Sequence, residues 1–155
     1  MTSCDLCASY AAGADAEHPL LHATEHWTIR GLDHNFGAGC MLIVPNRHVT
    51  RIPDLIPTEV AELGQLIWAT SSAGFELGDD VEQTYVCLWS HREKPRHVHF
   101  VVHPVGDATV RQFGLRGPAL HSEMLVRGER ADPGEMAEFV SRARAWFSSS
   151  PQLAQ

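Results

Sequence analysis

Three histidines, His97, His99 and His103, lie in one short apolar run, Arg96-His-Val-His-Phe-Val-Val-His-Pro104. A neutral imidazole offers a bare nitrogen that can ligate a metal, attack phosphorus or move a proton near neutral pH. Read as a β-strand, the run places positions 97, 99, 101 and 103 on one face and Val98, Phe100 and Val102 on the other. A His-rich edge strand facing solvent would show the same pattern. Two other groups bear on chemistry. Cys4 and Cys7 form a Cys-x-x-Cys pair, which suits a metal half-site, a redox pair or no role. A redox pair is expected between a strand and a helix, and no strand precedes this one, so metal is favoured. The charged stretch His91-Arg-Glu-Lys-Pro-Arg96 leads into the histidine run. It reads either as a solvated loop or as a cluster for a phosphorylated ligand.

These groups need elements to position them. His26–Arg30 reads as a first strand and Cys40–Val44 as a second, closed by Pro45 and Asn46. Between them lies a polar loop carrying Asp33, His34 and Asn35. Pro57 suits a first helical position and Glu59 the first turn of a helix reaching about Phe75, with Val60, Leu63, Leu66 and Ile67 as its apolar stripe. Thr84–Trp89 reads as a third strand, joined through the charged loop to the histidine strand as an antiparallel hairpin. Asp132-Pro-Gly-Glu135 opens a last helix by an Asp cap, Pro next and Glu three residues on. Its apolar positions are Met136, Phe139, Val140 and Phe147, and Ser148–Pro151 ends it. The segment 111–130 carries no clear pattern. The expectation is α+β, a mainly antiparallel sheet with two main helices, over one domain, residues 1–155, with a loose tail from about 148.

At 155 residues the chain is long enough to bury a core, and 44% hydrophobic with 20% charged residues is ordinary for a globular protein. The longest apolar runs are far too short to span a bilayer, and the first residues show no signal-peptide pattern, so cytoplasm is expected. A net charge of −7 argues against non-specific nucleic-acid binding. It leaves room for a small phosphorylated ligand held by local His, Arg and Lys. Cys40 and Cys87 lie in apolar runs and read as small buried hydrophobes. His18, His22, His26 and His121 have no partner pattern and read as surface residues.

The run His97-Val-His-Phe-Val-Val-His103 resembles the signature of the histidine triad family of nucleotide hydrolases and transferases, His-φ-His-φ-His-φ-φ with φ apolar. Cys4-Asp-Leu-Cys7 resembles the N-terminal Cys-x-x-Cys of its zinc-carrying members, and Leu42-Ile-Val-Pro-Asn-Arg-His48 their strand ending in Pro-x-x-His. Matching segments cover most of residues 4 to 104. The resemblance implies a histidine-triad-like fold of about five strands and a structural zinc on Cys4, Cys7, His48 and His97, a set that suits closed tetrahedral coordination. It leaves His99 as the nucleophile, attacking an α-phosphorus to form a nucleotidyl-histidine intermediate.

The sequence departs from the signature at its third histidine, which is Val101. Valine neither donates to phosphate nor protonates a leaving group. His103, four residues past His99 and about 13 Å along a regular strand, cannot simply take over. His91, Arg92, Lys94 and Arg96 border the expected phosphate pocket instead, with Asp33 and Asn35 toward the nucleoside and Trp27 and Phe36 as candidate base-pocket aromatics. The leading expectation is a hydrolase that releases a nucleoside monophosphate from an ester, anhydride or phosphoramidate, with dinucleoside polyphosphates suggested by resemblance alone. Alternatives are a nucleotidyltransferase to a metabolite, a catalytically weak nucleotide-binding protein, and a purely structural zinc protein. The resemblance also implies a homodimer.

Overall fold

The computed structural model describes residues 4–11, 18–88, 96–150 and 153. Five strands form one antiparallel sheet: β1 (Leu20–Ala23), β2 (Trp27–Gly31), β3 (Met41–Pro45), β4 (Val81–Leu88) and β5 (Phe100–Gly106), in the order β1-β2-β3-β5-β4. Among the described residues there are five α-helices: α1 (Asp5–Ala11), α2 (Pro57–Leu77), α3 (Asp107–Phe113), α4 (Gly117–Arg127) and α5 (Pro133–Ser149). The expected α+β class with two main helices holds, since α2 and α5 are the long ones.

The sheet carries a cluster of buried residues on each face. On one face Trp27, Ile29, Met41, Ile43 and Val102 meet Leu66, Ala69 and Ala73 of α2 and Met136, Phe139, Val140, Ala143 and Phe147 of α5. On the other, Leu42, Val44, Val101 and Val105 meet Leu32, Phe36, Val110, Leu120 and Met124, with Tyr10 of α1 at the margin. Covering both faces explains why β3 is buried at every position and reads as an unbroken apolar run. Period-two alternation holds along β5, but that strand begins at Phe100. His97 to His99 precede it, so strand alternation does not set their directions.

Local signals account for the long helices. Pro57 opens α2, and the Glu59 carboxylate accepts the Ile56 amide at 2.8 Å, capping a turn whose cap residue has no polar side chain. The expected stripe is partly wrong: Val60 is 54% exposed. It sits about 100° round the helix from Glu59, whose burial marks the inward face. That face uses Ala69, Ala73 and Gly74 instead, small enough for close approach. A Cβ on Gly74 would fall 2.7 Å from Cγ of Pro104. At α5 the reading from sequence stands: Asp132 accepts the Gly134 amide at 2.7 Å, and all four named apolar positions are buried.

Sequence reasoning missed β1, started β4 three residues late, and assigned no element to residues 107–127, where α3 and α4 form. Helix α3 ends on Gly114 at φ 66°, a left-handed cap that glycine takes without strain. Leu153 packs back onto the core cluster under α2 and α5.

Candidate metal centre and nucleophile

Four residues from three distant segments converge. Sγ of Cys4 lies 3.5 Å from Nδ1 of His97, and Sγ of Cys7 lies 3.4 Å from Nδ1 of both His48 and His97. All four ligand atoms fall within 4.8 Å of one another. Tetrahedral zinc, with sulfur at about 2.3 Å and nitrogen at about 2.0–2.1 Å, requires sulfur–nitrogen edges of about 3.5 Å. The donor set and its spacing therefore fit a metal. Among the described residues no other cluster of three or more His, Cys, Asp or Glu does so.

The surroundings prepare the donors. Nε2 of His97 lies 3.2 Å from the Pro45 carbonyl, which can only accept, so Nε2 carries the proton and Nδ1 presents its lone pair inward. Burial lowers the His97 pKa and favours the neutral ring a metal needs. Burial and the neighbouring Cys4 push the Cys7 thiol up to about 11, a penalty that a bound dication reverses. Helix α1, which follows Cys4 and includes Cys7, is held to the sheet a second time: Tyr10 lies over the buried Arg30 guanidinium, 3.9 Å from Cζ to ring centroid.

His99 stands two residues beyond the candidate ligand His97. Its Nδ1 lies 3.0 Å from the His97 carbonyl oxygen. That oxygen accepts only, so Nδ1 is the protonated nitrogen and Nε2 keeps a free lone pair. The ring is half-buried, and the backbone that tethers it is itself anchored by Val98, whose amide donates to the Val49 carbonyl at 2.8 Å. The candidate ligand His97 and the candidate nucleophile thus share one short stretch of backbone.

The other expected site residues divide. His91, Arg92 and Lys94 lie outside the described residues, and Arg96 is exposed. Asp33 is half-buried with Oδ2 3.7 Å from Arg130, and Asn35 donates from Nδ2 to the Leu125 carbonyl at 3.1 Å, tying this loop to α4. Val101 is buried in the apolar cluster of its face. His103 is 1% exposed, with Phe36 and His121 packed on it at 4.8 and 5.5 Å between ring centroids and Tyr85 edge-on at 6.2 Å. Burial, then the charge of His121, drives its pKa down to about 3.

Several readings need correction. His121 is buried rather than at the surface, and His22 is half-buried against Phe147. Trp27 is wholly buried core, donating from Nε1 to the Glu59 carbonyl at 3.0 Å. Reading 117–127 as a helix would have found His121, because Leu120, His121, Met124 and Leu125 share one stripe at helical spacing. Sequence reasoning also missed Arg47, whose guanidinium grips the buried Glu59 carboxylate through two hydrogen bonds, 3.0 and 2.8 Å.

A scan against protein-family models and a search of curated proteins found no match. Solved structures do match. A zinc-bound histidine triad family protein from Mycobacterium smegmatis is 21% identical, with 94% of each chain covered and a TM-score of 0.64. A hypothetical histidine triad nucleotide-binding protein from Sulfolobus tokodaii is 13% identical over 94% of this chain and 92% of that one, TM-score 0.62. A uridylyltransferase mutant is 18% identical, covering 94% of this chain and 47% of that one, TM-score 0.63. The fold is that of histidine triad proteins.

Proposed function

We propose that this chain is a nucleotide-processing enzyme in which His99 attacks the α-phosphorus of a nucleoside phosphate ester, anhydride or phosphoramidate. The observation that carries the reading is the tether of His99 Nδ1 to the His97 carbonyl, which leaves Nε2 as a directed nucleophile. Attack forms an Nε2–phosphorus bond as the bond to the leaving group breaks. Water then cleaves the nucleotidyl-histidine, releasing a nucleoside monophosphate and restoring the free ring. Dividing one displacement into two easier steps is the advantage of the covalent route.

The likeness to a zinc-bound histidine triad structure and the fit of Cys4, Cys7, His48 and His97 support zinc as the resident metal. Four protein ligands leave no open position, so zinc here has a structural role, pinning the first helix beside the loop of His48 and the segment of His97. Asp33 and Asn35 are the proposed ribose-side contacts, with His91, Arg92 and Lys94 as proposed phosphate-side groups; His103, also expected among the substrate contacts, is instead closed off beneath Phe36, Tyr85 and His121.

Nucleotidyl transfer to a metabolite is the second reading. Val101 supports it, since a buried valine in the third signature position gives the leaving group no proton. The likeness in fold to a uridylyltransferase agrees with it. A homodimer is proposed on exposed apolar residues of two packed elements: Trp68 and Phe75, seven residues apart on α2, and Val86 and Leu88 on the edge strand β4 against which α2 packs. A second copy of this chain is the occupant. No disulfide joins any of the four cysteines, which agrees with the proposed cytoplasmic setting.

The deciding experiment is mass spectrometry of wild type and His99→Ala after rapid quench with a panel of nucleoside phosphoramidates and dinucleoside polyphosphates. A nucleotidyl adduct on His99, absent in the variant, together with loss of turnover by about 10³-fold or more, is expected. Nucleotide binding with no product from any substrate would establish a binding protein instead. An adduct discharged by a metabolite much faster than by water would establish transfer.

A further inference from the structure

We propose that the Arg47–Glu59 ion pair is a positioning clamp for the metal centre, holding His48 in ligating geometry and so setting how slowly the protein releases zinc. The proposal rests on the zinc reading above, and its test separates the two.

His48 is exposed, so core packing does not hold its ring in place. Its position depends on the residues on either side, and each of them is tied. The Pro45 carbonyl accepts from His97, and the Val49 carbonyl accepts the Val98 amide. Asn46 donates from Nδ2 to the Thr24 and Glu25 carbonyls at 3.2 and 3.0 Å. Arg47 makes the strongest tie: Nε and a terminal nitrogen grip the two Glu59 oxygens, and that terminal nitrogen also donates to the Asp54 carbonyl at 2.8 Å. A planar fork on a carboxylate fixes direction as well as distance, so the backbone beside His48 has little freedom to turn.

The far end of the clamp is rigid. The Glu59 side chain is 3% exposed, sits in the first turn of a 21-residue helix, and receives the Ile56 amide on the same carboxylate. Its own carbonyl holds the buried Trp27. A neighbouring ion pair offers an internal comparison. Arg51 and Asp54 pair just as closely, at 2.8 Å, but Arg51 is 73% exposed and its guanidinium is not the group that ties the His48 loop to α2.

The test uses zinc-loaded full-length wild type, R47M, R47K and R51M. Zinc release into excess chromogenic chelator is timed, and thermal unfolding is followed with zinc and after chelation. R47M should release zinc about 10–100-fold faster, the usual cost of losing a group that orients a ligand. R47K, which keeps the charge without the fork, should fall between it and wild type, and R51M should match wild type. The rise in melting temperature on adding zinc should shrink in R47M. If that variant and wild type release zinc at one rate, or if R47M lowers both melting temperatures equally, the clamp is refuted while the metal reading stands. Should R47M not fold, R47K releasing zinc at the wild-type rate refutes it. Wild type that binds no zinc overturns the metal reading and the clamp together.

Discussion

Replacing His103 should flatten the acid side of the stability profile. Its imidazole is 1% exposed, and Nδ1 has no hydrogen-bond partner among the described residues. Phe36, Tyr85 and His121 pack around it, and the charge that acts on it among the described residues, that of His121, opposes protonation. Its folded pKa is depressed to about 3, against about 6.5 in the unfolded chain. Stability from the neutral ring is therefore complete above pH 6.5 and is lost as pH falls through the window from there to about 3. At pH 5 the unfolded imidazole is nearly all protonated and the folded one nearly all neutral. The ratio of the two binding terms is about 30, which costs roughly 2 kcal/mol at that pH. The full shift of about 3.5 units corresponds to about 5 kcal/mol below pH 3. Urea unfolding of wild type and His103→Leu at pH 8 and pH 5, with zinc held constant, isolates this contribution because protonation of the metal ligands is common to both proteins. Wild type should lose about 2 kcal/mol more than the variant between the two pH values. Equal losses would mean that ring 103 ionises freely in the folded state, and the packed-imidazole argument would be wrong.

Cys4→Ser should reduce bound zinc below one equivalent by metal analysis. A hundredfold loss of affinity, about 3 kcal/mol, lowers the melting temperature of zinc-supplemented protein by roughly 6–12 °C, measurable by calorimetry. Val101→His should raise hydrolysis of a nucleoside phosphoramidate by supplying a donor at the third signature position, at a stability cost of roughly 1–3 kcal/mol for a polar group in an apolar cluster. Unchanged turnover in a folded variant would show that the valine is not the brake. Trp68→Glu should halve the mass seen by light scattering without altering the far-ultraviolet spectrum, whereas a wild-type monomer would rule out the α2–β4 interface.

Much was legible where chemistry and pattern are local. The three histidine positions, the Cys-x-x-Cys pair and the Asp132-Pro-Gly-Glu135 helix start are short-range signals, and the fold class follows from strands and helices that announce themselves in windows of a few residues. The family resemblance grouped His97 with Cys4 and Cys7 and left His99 apart, but residue pattern alone could not say which carbonyl holds each ring, because both histidines precede β5 and escape strand alternation. Nor could it show His121 against His103, residues on different elements that meet only when α4 packs over β5 and Phe36. The Arg47–Glu59 pair spans 12 residues, from the loop after β3 to α2, and nothing in its spacing marks it. Residue types decide which groups can ligate, attack or carry charge. Burial and the sheet's order decide which of them meet, which way each ring points and which nitrogen keeps its proton, since those depend on neighbours far away along the chain.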